Sequence, residues 1–331
     1  MHKNSITICI PSYNNATYLE RCIDSALAQT YPNIEIIIAD DQSSDHSDKI
    51  IKSYGDRIKA FFNPVNKGQC QNTNWLVHQA RGDYVVILHS DDYLLREACQ
   101  IWIDMFNKYP LAGMAVGERL ETNDKDQIRS IAPFYDHDYL IKGLYQAKVF
   151  MFASFLPCQV CFKKDIFLKA GGVHPRYVVN LDGLLWFKLS LLCDVLYTQQ
   201  QVCVYRYHDQ SITAYYNTTI DHMLEFYQTL KEMINLSKGY PYLVQFHQSA
   251  VARVGTLALR YGQQMADCGQ FALARRQVYL AQYFDPEIKK SVQYKKYQAY
   301  IKRVEKGYKI DFYNQINRRK SYTPPPCSIR V

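Results

Sequence analysis

Four consecutive residues, His89 to Asp92, place an imidazole, a hydroxyl and two carboxylates directly after the apolar run VVIL. Paired carboxylates at the end of a buried strand commonly bind a divalent cation or a polar substrate, and oxygen ligands favour Mg²⁺ or Mn²⁺. The histidine in first place raises the question of whether this segment is an intact metal site.

Two more apolar runs end in polar residues that suit ligand binding. The first ends in PSYNN, residues 11–15, and the second ends in ADDQ, which contains Asp40 and Asp41. Ligands of open parallel sheets bind at the carboxyl ends of the strands, so these segments are expected to lie together. A Rossmann dinucleotide site needs a GxGxxG turn after the first strand, and PSYNN contains no glycine, which argues against that class of protein.

The elements that would position these segments alternate along the first 120 residues. Apolar patterning predicts strands over 5–11, 33–40, 58–63, 83–89 and 112–119, and helices over 15–29, 70–80 and 94–108. A short helix that Ser44 or Asp45 can cap, and that carries Ile50, Ile51 and Tyr54, is predicted after the second strand. Strands that alternate with helices indicate an α/β fold with a mainly parallel, doubly wound sheet. From about residue 220 the pattern is helical, which predicts a helical C-terminal extension.

Length and composition are those of an ordinary globular protein, with 331 residues of which 48% are apolar. The richest apolar stretch, residues 149–162, is too short to span a bilayer. The amino-terminal residues lack the apolar core of a signal peptide, so a cytoplasmic location is expected.

Ten cysteines lie mostly in apolar segments, a usage typical of reduced thiols. Cys158 and Cys161 form one CxxC motif, but no second ligand pair accompanies it. Buried thiols are therefore favoured over a zinc or redox site at this motif.

The net charge of +8 arises entirely from the C-terminal segment. Residues 285–331 carry twelve basic and four acidic side chains, whereas residues 1–284 balance at 27 against 27. Aromatic and aliphatic residues recur there every three or four positions, from Tyr294 to Phe312, with lysines largely off that stripe. The 285–320 segment is thus a candidate basic helix on an anionic membrane surface. A helix packed on its own domain, with a solvated outer face, is the alternative.

Several ordered motifs at matching spacing resemble the nucleotide-sugar domain of the family 2 glycosyltransferases, which are inverting enzymes with the GT-A fold. ITICIPSYNN, IIIADDQSSD, NKGQCQNTN and YVVILHSDD carry the resemblance, which resumes at KAGGVHPRY, LDGLLWF and YRYHDQSIT. It implies a GT-A domain over 1–215, with a nucleotide-sugar half at 1–120 and an acceptor half at 121–215. A helical region over 216–331 follows.

The resemblance and the residues together predict a donor site. Pro11 and Tyr13 can supply an apolar platform for the base, and Asp40 or Asp41 can accept a hydrogen bond from a uracil-type N–H. The NKG loop resembles the segment that holds the nucleoside and diphosphate, with Gly68 allowing close backbone approach. The predicted nucleotide-sugar-binding residues are Pro11, Tyr13, Asn14, Asp40, Asp41, Asn66, Gly68, Asn74, Ser90 and Asp91.

HSDD stands in the position of the family's DxD motif, which implies that Asp91 is a ligand of Mn²⁺ or Mg²⁺. A bound cation stabilises the charge that develops on a departing nucleoside diphosphate. His89 replaces the customary first Asp, and this change is expected to affect donor affinity more than metal binding. Asp92 is expected either to cap the next helix or to support Asp91. His208 stands where a histidine can approach the metal or the diphosphate, with a purely structural histidine as the alternative.

An inverting transferase needs a general base beneath the acceptor hydroxyl, on the face opposite the leaving group. The family's base is an Asp in a Glu-Asp pair before a helix that carries Leu-Trp, and NLDGLLWF aligns Asp182 with it. Leu181 replaces the usual Glu, which makes the acceptor geometry less certain. A plain helix cap is the alternative role for Asp182.

The resemblance implies an inverting transfer of one sugar from a nucleotide diphosphate sugar, of the UDP type, to a hydroxyl of a glycan or lipid-linked acceptor. Assembly of a surface polysaccharide or other glycoconjugate is the implied pathway, by analogy alone. A noncatalytic nucleotide-sugar-binding subunit is the alternative, suggested by His89 and Leu181. A nucleotidyltransferase would need a glycine-rich, basic loop where PSYNN stands, and no nucleic-acid partner is expected.

Overall fold

The structure, a computed structural model, describes residues 4–217, 219–306, 322, 324–325 and 328–331. It divides into two compact units, one formed by residues 1–208 and 321–331 and the other by residues 209–320. The division follows His208, a few residues before the predicted boundary at 215, and the last residues of the chain belong to the first unit.

The first unit is built around a mixed sheet. Its strands are β1 (Ile6–Ser12), β2 (Ile34–Asp40), β3 (Lys59–Phe62), β4 (Tyr84–Ile87), β5 (Tyr93–Leu94), β6 (Met114–Asn123), β7 (Arg129–Ser130), β8 (Tyr139–Ile141), β9 (Val160–Lys163), β10 (Val195–Tyr207) and β11 (Ile329–Arg330). The order is β11-β8-β10-β6-β9-β4-β1-β2-β3, with β5 on β10 and β7 on β6. The four strands β3, β2, β1 and β4 are parallel, whereas β9 runs antiparallel to both of its neighbours.

Helices connect the strands and form the second unit. The first unit contains α1 (Ala16–Leu27), α2 (Ser47–Ser53), α3 (Gln69–Gln79), α4 (Ala98–Lys108), α5 (Gly143–Phe150), α6 (Lys164–Lys169) and α7 (Leu181–Ser190). The second contains α8 (Ile212–Asn217), α9 (Asp221–Leu236), α10 (Pro241–Val244), α11 (His247–Asp267), α12 (Phe271–Phe284) and α13 (Val292–Glu305). The predicted α/β class with a helical C-terminal region is confirmed.

One predicted helix begins later than expected. The pattern predicted a start at residue 94, but α4 begins at Ala98 because Tyr93 and Leu94 pair antiparallel with Val204 and Cys203 of β10. Tertiary strand pairing thus overrides the local helical periodicity of these residues.

The core of the first unit follows the apolar pattern closely. All residues of β1 are buried, and α1 buries Leu19, Cys22, Ile23 and Ala26 at the three- and four-residue spacing of one helix face. Leu19 and Ile23 each contribute about 1.5 to 3 kcal/mol when fully buried, and the smaller Cys22 and Ala26 contribute less. Because apolar residues fill the strands, the polar residues collect at the strand ends.

In the second unit the aromatic stripe of α13 points inward. Tyr294, Tyr297, Tyr300 and Ile301 are buried, and the lysines between them are exposed. In its described part the helix therefore packs on its own unit, which agrees with the alternative to the membrane prediction. Residues 307–320, which carry the rest of the predicted basic helix, lie outside the described residues.

Two further predictions concern membranes and cysteines. Within the described ranges, no helix is long and apolar enough to cross a membrane. Cys158 and Cys161 are both fully buried free thiols, as the favoured interpretation of the CxxC motif expected.

Candidate functional site

The carboxyl ends of β1, β2 and β4 lie side by side, because these strands are parallel neighbours. Ser12 at the end of β1 is in register with Asp40 at the end of β2. The Asn15 amide then reaches across from the β1 loop and donates to Ser90 Oγ after β4, at 2.9 Å. The three polar segments identified in the sequence therefore meet at one edge of the sheet.

The β1 loop exposes one aromatic ring. Tyr13 is 53% exposed, whereas Pro11 is buried within β1, so Tyr13 alone offers a ring face and the predicted contribution of Pro11 is not at the surface. Asn14 adopts a positive φ of 47°. Its side chain accepts from the Ser44 amide at 2.7 Å, and its own amide donates to Ser43 Oγ at 2.8 Å. These bonds tie the β1 loop to the β2 loop beneath Tyr13.

Asp41 organises the NKG loop. Its buried carboxylate accepts hydrogen bonds from the backbone amides of Lys67 at 2.9 Å and Gly68 at 2.8 Å, and from the Asn63 side chain at 2.8 Å. Gly68 has a φ of +80°, a conformation that favours glycine. Asn66 joins this loop by donating to the Asp41 carbonyl at 3.0 Å. Both oxygens of Asp41 are thus engaged in shaping the loop.

Asp40 differs from its neighbour in having an unused acceptor. Its Oδ2 accepts from the Ser43 amide at 3.0 Å, but Oδ1 is buried and has no hydrogen-bond partner among the residues described. A buried oxygen without a partner is costly unless a ligand supplies a donor. Of the two predicted acceptors for a base, Asp40 is the one with an available oxygen.

Asn74 has a positioning role that the sequence did not indicate. Its side chain both donates to the Val173 carbonyl and accepts from the Val173 amide, each at 2.8 Å. The adjoining Gly172 packs so closely that a Cβ would lie 2.6 Å from Asn74 Oδ1. These bonds join α3 to the turn at 171–173. The Asn74 side chain was expected to contact a nucleoside or diphosphate, but its amide group is hydrogen-bonded to this turn instead.

His89 is held by the first residue of α3. The Gln69 side-chain amide donates to His89 Nε2 at 3.2 Å, and burial lowers the pKa of His89 although Asp91 partly opposes this. The imidazole is therefore neutral near pH 7 and acts here as a hydrogen-bond acceptor. It replaces the negative charge of the family's first Asp with a neutral group.

Asp92 connects the motif to β10 rather than capping a helix. Its Oδ1 accepts from the Arg206 backbone amide at 3.0 Å, and Glu97, not Asp92, is the N-cap of α4. Burial raises the pKa of Asp92 well above its ordinary value, with further contributions from Cys158 and Asp91. The prediction that Asp92 caps the next helix is wrong, because β5 intervenes between them.

Asp91 and His208 form a close pair at this edge. Asp91 Oδ2 lies 3.0 Å from His208 Nε2, and the Asp91 side chain remains 20% exposed. Burial alone would raise the pKa of Asp91, but the hydrogen bond from His208 and the nearby His89 outweigh burial and lower it. His208 is buried and packs against Tyr18, with the two ring centroids 4.7 Å apart. Its Nδ1 has no hydrogen-bond partner among the described residues.

A possible cation site follows from these positions. Within the described part of the chain, His89, Asp91 and Asp92 are the only group of three such residues whose ligand atoms all lie within 4.8 Å of one another. Asp92 is hydrogen-bonded to β10, and Asp91 Oδ2 lies 3.0 Å from His208 Nε2, so Asp91 and His208 form a further candidate pair of oxygen and nitrogen ligands.

Arg206 lies beneath this pair, and the sequence analysis did not identify it. The side chain is only 3% exposed; it pairs with Asp126 at 2.9 Å and donates to the carbonyls of Asn123 at 3.0 Å and Asp91 at 3.3 Å. Its guanidinium also stacks over the Tyr18 ring at 4.7 Å. The signal in the sequence was a lone arginine within the strand pattern VCVYRYH, two residues before His208.

Asp182 lies in the first turn of α7. Its Oδ1 accepts from the Gly183 amide at 2.9 Å, and the N-cap of the helix is Asn180. The buried Trp186 anchors the helix by donating to the Phe155 carbonyl at 2.9 Å. Leu181, at the position where the resemblance implied a Glu, is buried.

A chain of contacts relates Asp182 to the HSDD segment. Cys70, in the first turn of α3, donates from Sγ to the Tyr177 carbonyl at 2.8 Å, five residues before Asp182. The preceding residue, Gln69, contacts His89. The loop that leads into α7 therefore lies against the same helix end that touches His89.

The chain is similar in sequence to proteins of a known family. Residues 7–161 match the model of the family described as glycosyl transferase family 2. The chain is 30% identical over 224 residues to an uncharacterized glycosyltransferase of Rickettsia typhi, covering 67% of this chain and 69% of the relative. It is 41% identical over 196 residues to an uncharacterized glycosyltransferase of Haemophilus influenzae, covering 58% of this chain and 76% of the relative.

Solved structures show the same fold at low sequence identity. Staphylococcus aureus TarS 1–349 in complex with UDP-GlcNAc is 15% identical, with a TM-score of 0.58 and coverage of 93% of this chain and 94% of that one. The mannosyltransferase PcManGT of Pyrobaculum calidifontis, in complex with GDP-Man and Mn²⁺, is also 15% identical, with a TM-score of 0.52 and coverage of 92% and 86%. These likenesses confirm the predicted GT-A type of fold.

Proposed function

Because the chain belongs to glycosyl transferase family 2 and is therefore a nucleotide-sugar transferase, we propose a specific reaction for it. The protein transfers one sugar from a UDP-sugar to a hydroxyl of a glycan or lipid-linked acceptor, with inversion at the anomeric carbon. The observation that carries this proposal is the Asp91–His208 pair at the edge where the β1, β2 and β4 loops converge.

The pair fits a divalent cation. Neighbouring ligands of an octahedral ion with bonds of about 2.1 Å lie about 3 Å apart. Asp91 Oδ2 and His208 Nε2 are 3.0 Å apart and share a hydrogen bond, which a cation bound by both atoms would replace. The lowered pKa of Asp91 keeps its carboxylate ionised, as a metal ligand must be. A bound Mn²⁺ or Mg²⁺ would stabilise the charge on the departing diphosphate.

The donor loops supply the rest of the nucleotide site in this proposal. The exposed Tyr13 ring provides a face for the base, and the unpaired Asp40 Oδ1 accepts from an N–H of its edge. The backbone of Gly68, held open by Asp41, leaves room for the nucleoside to approach. His89 then contributes to the affinity for the nucleotide without adding charge.

Asp182 is proposed as the general base. It removes the proton from the acceptor hydroxyl while the hydroxyl oxygen attacks the anomeric carbon and the nucleoside diphosphate leaves from the opposite face. The support is its place in the first turn of α7, whose preceding loop touches the helix end beside His89. Buried Trp186 keeps this turn in a fixed orientation.

The test combines binding and turnover. A panel of nucleotide sugars is screened for a shift in melting temperature, with and without Mn²⁺, and hydrolysis of the best donor is then followed. Asp182→Asn should lower turnover by about 100- to 10,000-fold and leave the donor-induced shift unchanged. Asp165→Asn, in an exposed ion pair on α6, is the matched control and should change neither quantity.

Two outcomes would count against the proposal. If no nucleotide sugar raises the melting temperature, the donor site is wrong. If donors bind but Asp182→Asn hydrolyses them as the wild type does, the noncatalytic binding subunit becomes the better description. That alternative draws on the neutral His89 and the apolar Leu181.

A further inference from the structure

The outer face of α12 carries two exposed aromatic rings. Tyr279 is 71% exposed and Tyr283 is 67% exposed, four residues further along the same face of the helix. The opposite side of α12 is buried and includes Ala274, Val278 and Ala281. The tyrosines are therefore directed away from the core of this unit.

α12 and α13 lie side by side and run in opposite directions. Arg275 near the start of α12 pairs with Glu305 at the end of α13, with Nη2 and Oε1 2.7 Å apart. Gln282 near the end of α12 donates to the hydroxyl of Tyr294 near the start of α13. Each helix buries another side within the unit, so their remaining faces form one outer surface, called here the α12–α13 surface.

The segment that contains this surface is strongly basic. Residues 271–306 contain nine Lys or Arg residues, all exposed: Arg275, Arg276, Lys289, Lys290, Lys295, Lys296, Lys302, Arg303 and Lys306. The same range contains three acids, Asp285, Glu287 and Glu305, which leaves a net charge of nine minus three, or +6. Glu287 and Glu305 are each engaged in an ion pair with one of the nine.

We infer that the α12–α13 surface docks on a membrane that contains anionic lipids. Tyrosine rings settle at the headgroup level of a bilayer, and basic side chains near an anionic surface each strengthen binding about fivefold. The surface consists of the outward sides of two adjacent helices, which suits a flat bilayer better than the groove that a nucleic acid or glycan strand would occupy. It differs from the buried aromatic stripe of α13, on which the sequence prediction depended.

The proposed function enters this inference at one point: membrane docking would bring the enzyme to a lipid-linked acceptor. It is tested with the full chain by sedimentation with phosphatidylcholine vesicles, with and without phosphatidylserine. The wild type should sediment only with the anionic vesicles and should be released by added salt, because salt screens exposed charges. Lys295→Gln with Lys296→Gln should weaken binding about 25-fold.

Matched variants separate the surface from total charge. Lys49→Gln with Lys238→Gln removes two exposed charges that lie outside α12 and α13 and should change binding little. Tyr279→Ser with Tyr283→Ser should weaken vesicle binding several-fold without altering the net charge. Melting curves of all variants should match that of the wild type.

Three results would overturn the inference: no sedimentation of the wild type with anionic vesicles, equal losses in both lysine pairs, or binding to a soluble polyanion such as heparin without binding to vesicles. Donor hydrolysis is measured on the same samples. Donor hydrolysis without vesicle binding would contradict the membrane inference alone. Vesicle binding without donor hydrolysis would contradict the proposed function alone.

Discussion

The two units of the protein differ in whether they bury charged side chains. The first buries charged or titratable side chains near the carboxyl ends of its strands, including Asp40, Asp41, Asp92, Arg206 and His208. In the second, over residues 209–217 and 219–306, the buried polar side chains are neutral ones and His222, with no buried Asp, Glu, Lys or Arg.

The difference follows from the energetic cost of burying a charge. Burying a charge costs several kcal/mol unless partners or a ligand compensate, so buried charges are retained where a ligand must be bound. Charges on an exposed helix surface cost little and act on a partner at longer range. The first unit is thus organised around an internal site, and the second around its exterior.

The largest loss of turnover should come from removing the carboxylate of Asp91, which lies beside the buried side chains of the first unit. Asp91→Asn deletes the charge that pairs with His208, and turnover should fall by about 1,000-fold or more, together with any stabilisation by Mn²⁺ in a melting curve. Asp48→Asn, on the exposed helix α2, is the control and should retain both. Full activity and an undiminished Mn²⁺ response in Asp91→Asn would show that this edge does not bind the metal.

Replacing one basic side chain in each unit tests the contrast between buried and exposed charges. Arg206→Met should lower the free energy of unfolding by about 3 kcal/mol, because the carbonyls of Asp91 and Asn123 lose their buried donor. Lys302→Met on the exposed face of α13 should change it by about 0.5 kcal/mol or less. Denaturant unfolding measures both, and similar losses in the two variants would contradict the contrast between the units.

A smaller effect concerns acid sensitivity in the second unit. Burial lowers the pKa of His222 to about 4, against 6.5 for the free side chain, and Nδ1 has no partner in the described residues. The unfolded chain therefore binds the proton more readily than the native one, so stability is intact above pH 6.5 and declines as the pH falls toward 4. The loss should be about 2 kcal/mol at pH 5.

Amide hydrogen exchange in α9 and α11 reports this decline directly. His222→Phe keeps a ring against Phe226 and Tyr261 and should remove most of the pH dependence between 6.5 and 5. If the variant and the wild type lose protection equally over that range, His222 is not the group responsible.

Much of the first unit could be predicted from the sequence. The alternation of apolar runs with helical patterns indicates parallel strands, and parallel strands bring their carboxyl ends to one edge. Asp91 and Asp182 could be put forward as candidates because each stands in an ordered motif at a matching spacing, and their roles stay predictions. These features depend on residues close together in the chain, whose periodicity is visible without the fold.

Hydrogen-bond partners distant in the sequence could not be predicted. Asp40 and Asp41 look alike in the sequence, and only the NKG loop, about 26 residues further on, distinguishes them by engaging Asp41. Asn74 looks like a nucleotide-sugar-binding residue in the sequence, but in the structure its side chain is hydrogen-bonded to Val173, 99 residues further on.

The sequence by itself determined the family, the alternating α/β order and the segments that carry the chemistry, because local periodicity and motif spacing encode them. Only the tertiary structure decided which acceptor stays unpaired at Asp40, that Arg206 supports the Asp91–His208 pair, and that α13 turns its tyrosines inward. The reason is that burial and hydrogen bonding are set by partners from other elements, and a helix with one apolar and one basic face fits a protein core or a membrane equally well until its neighbours are known.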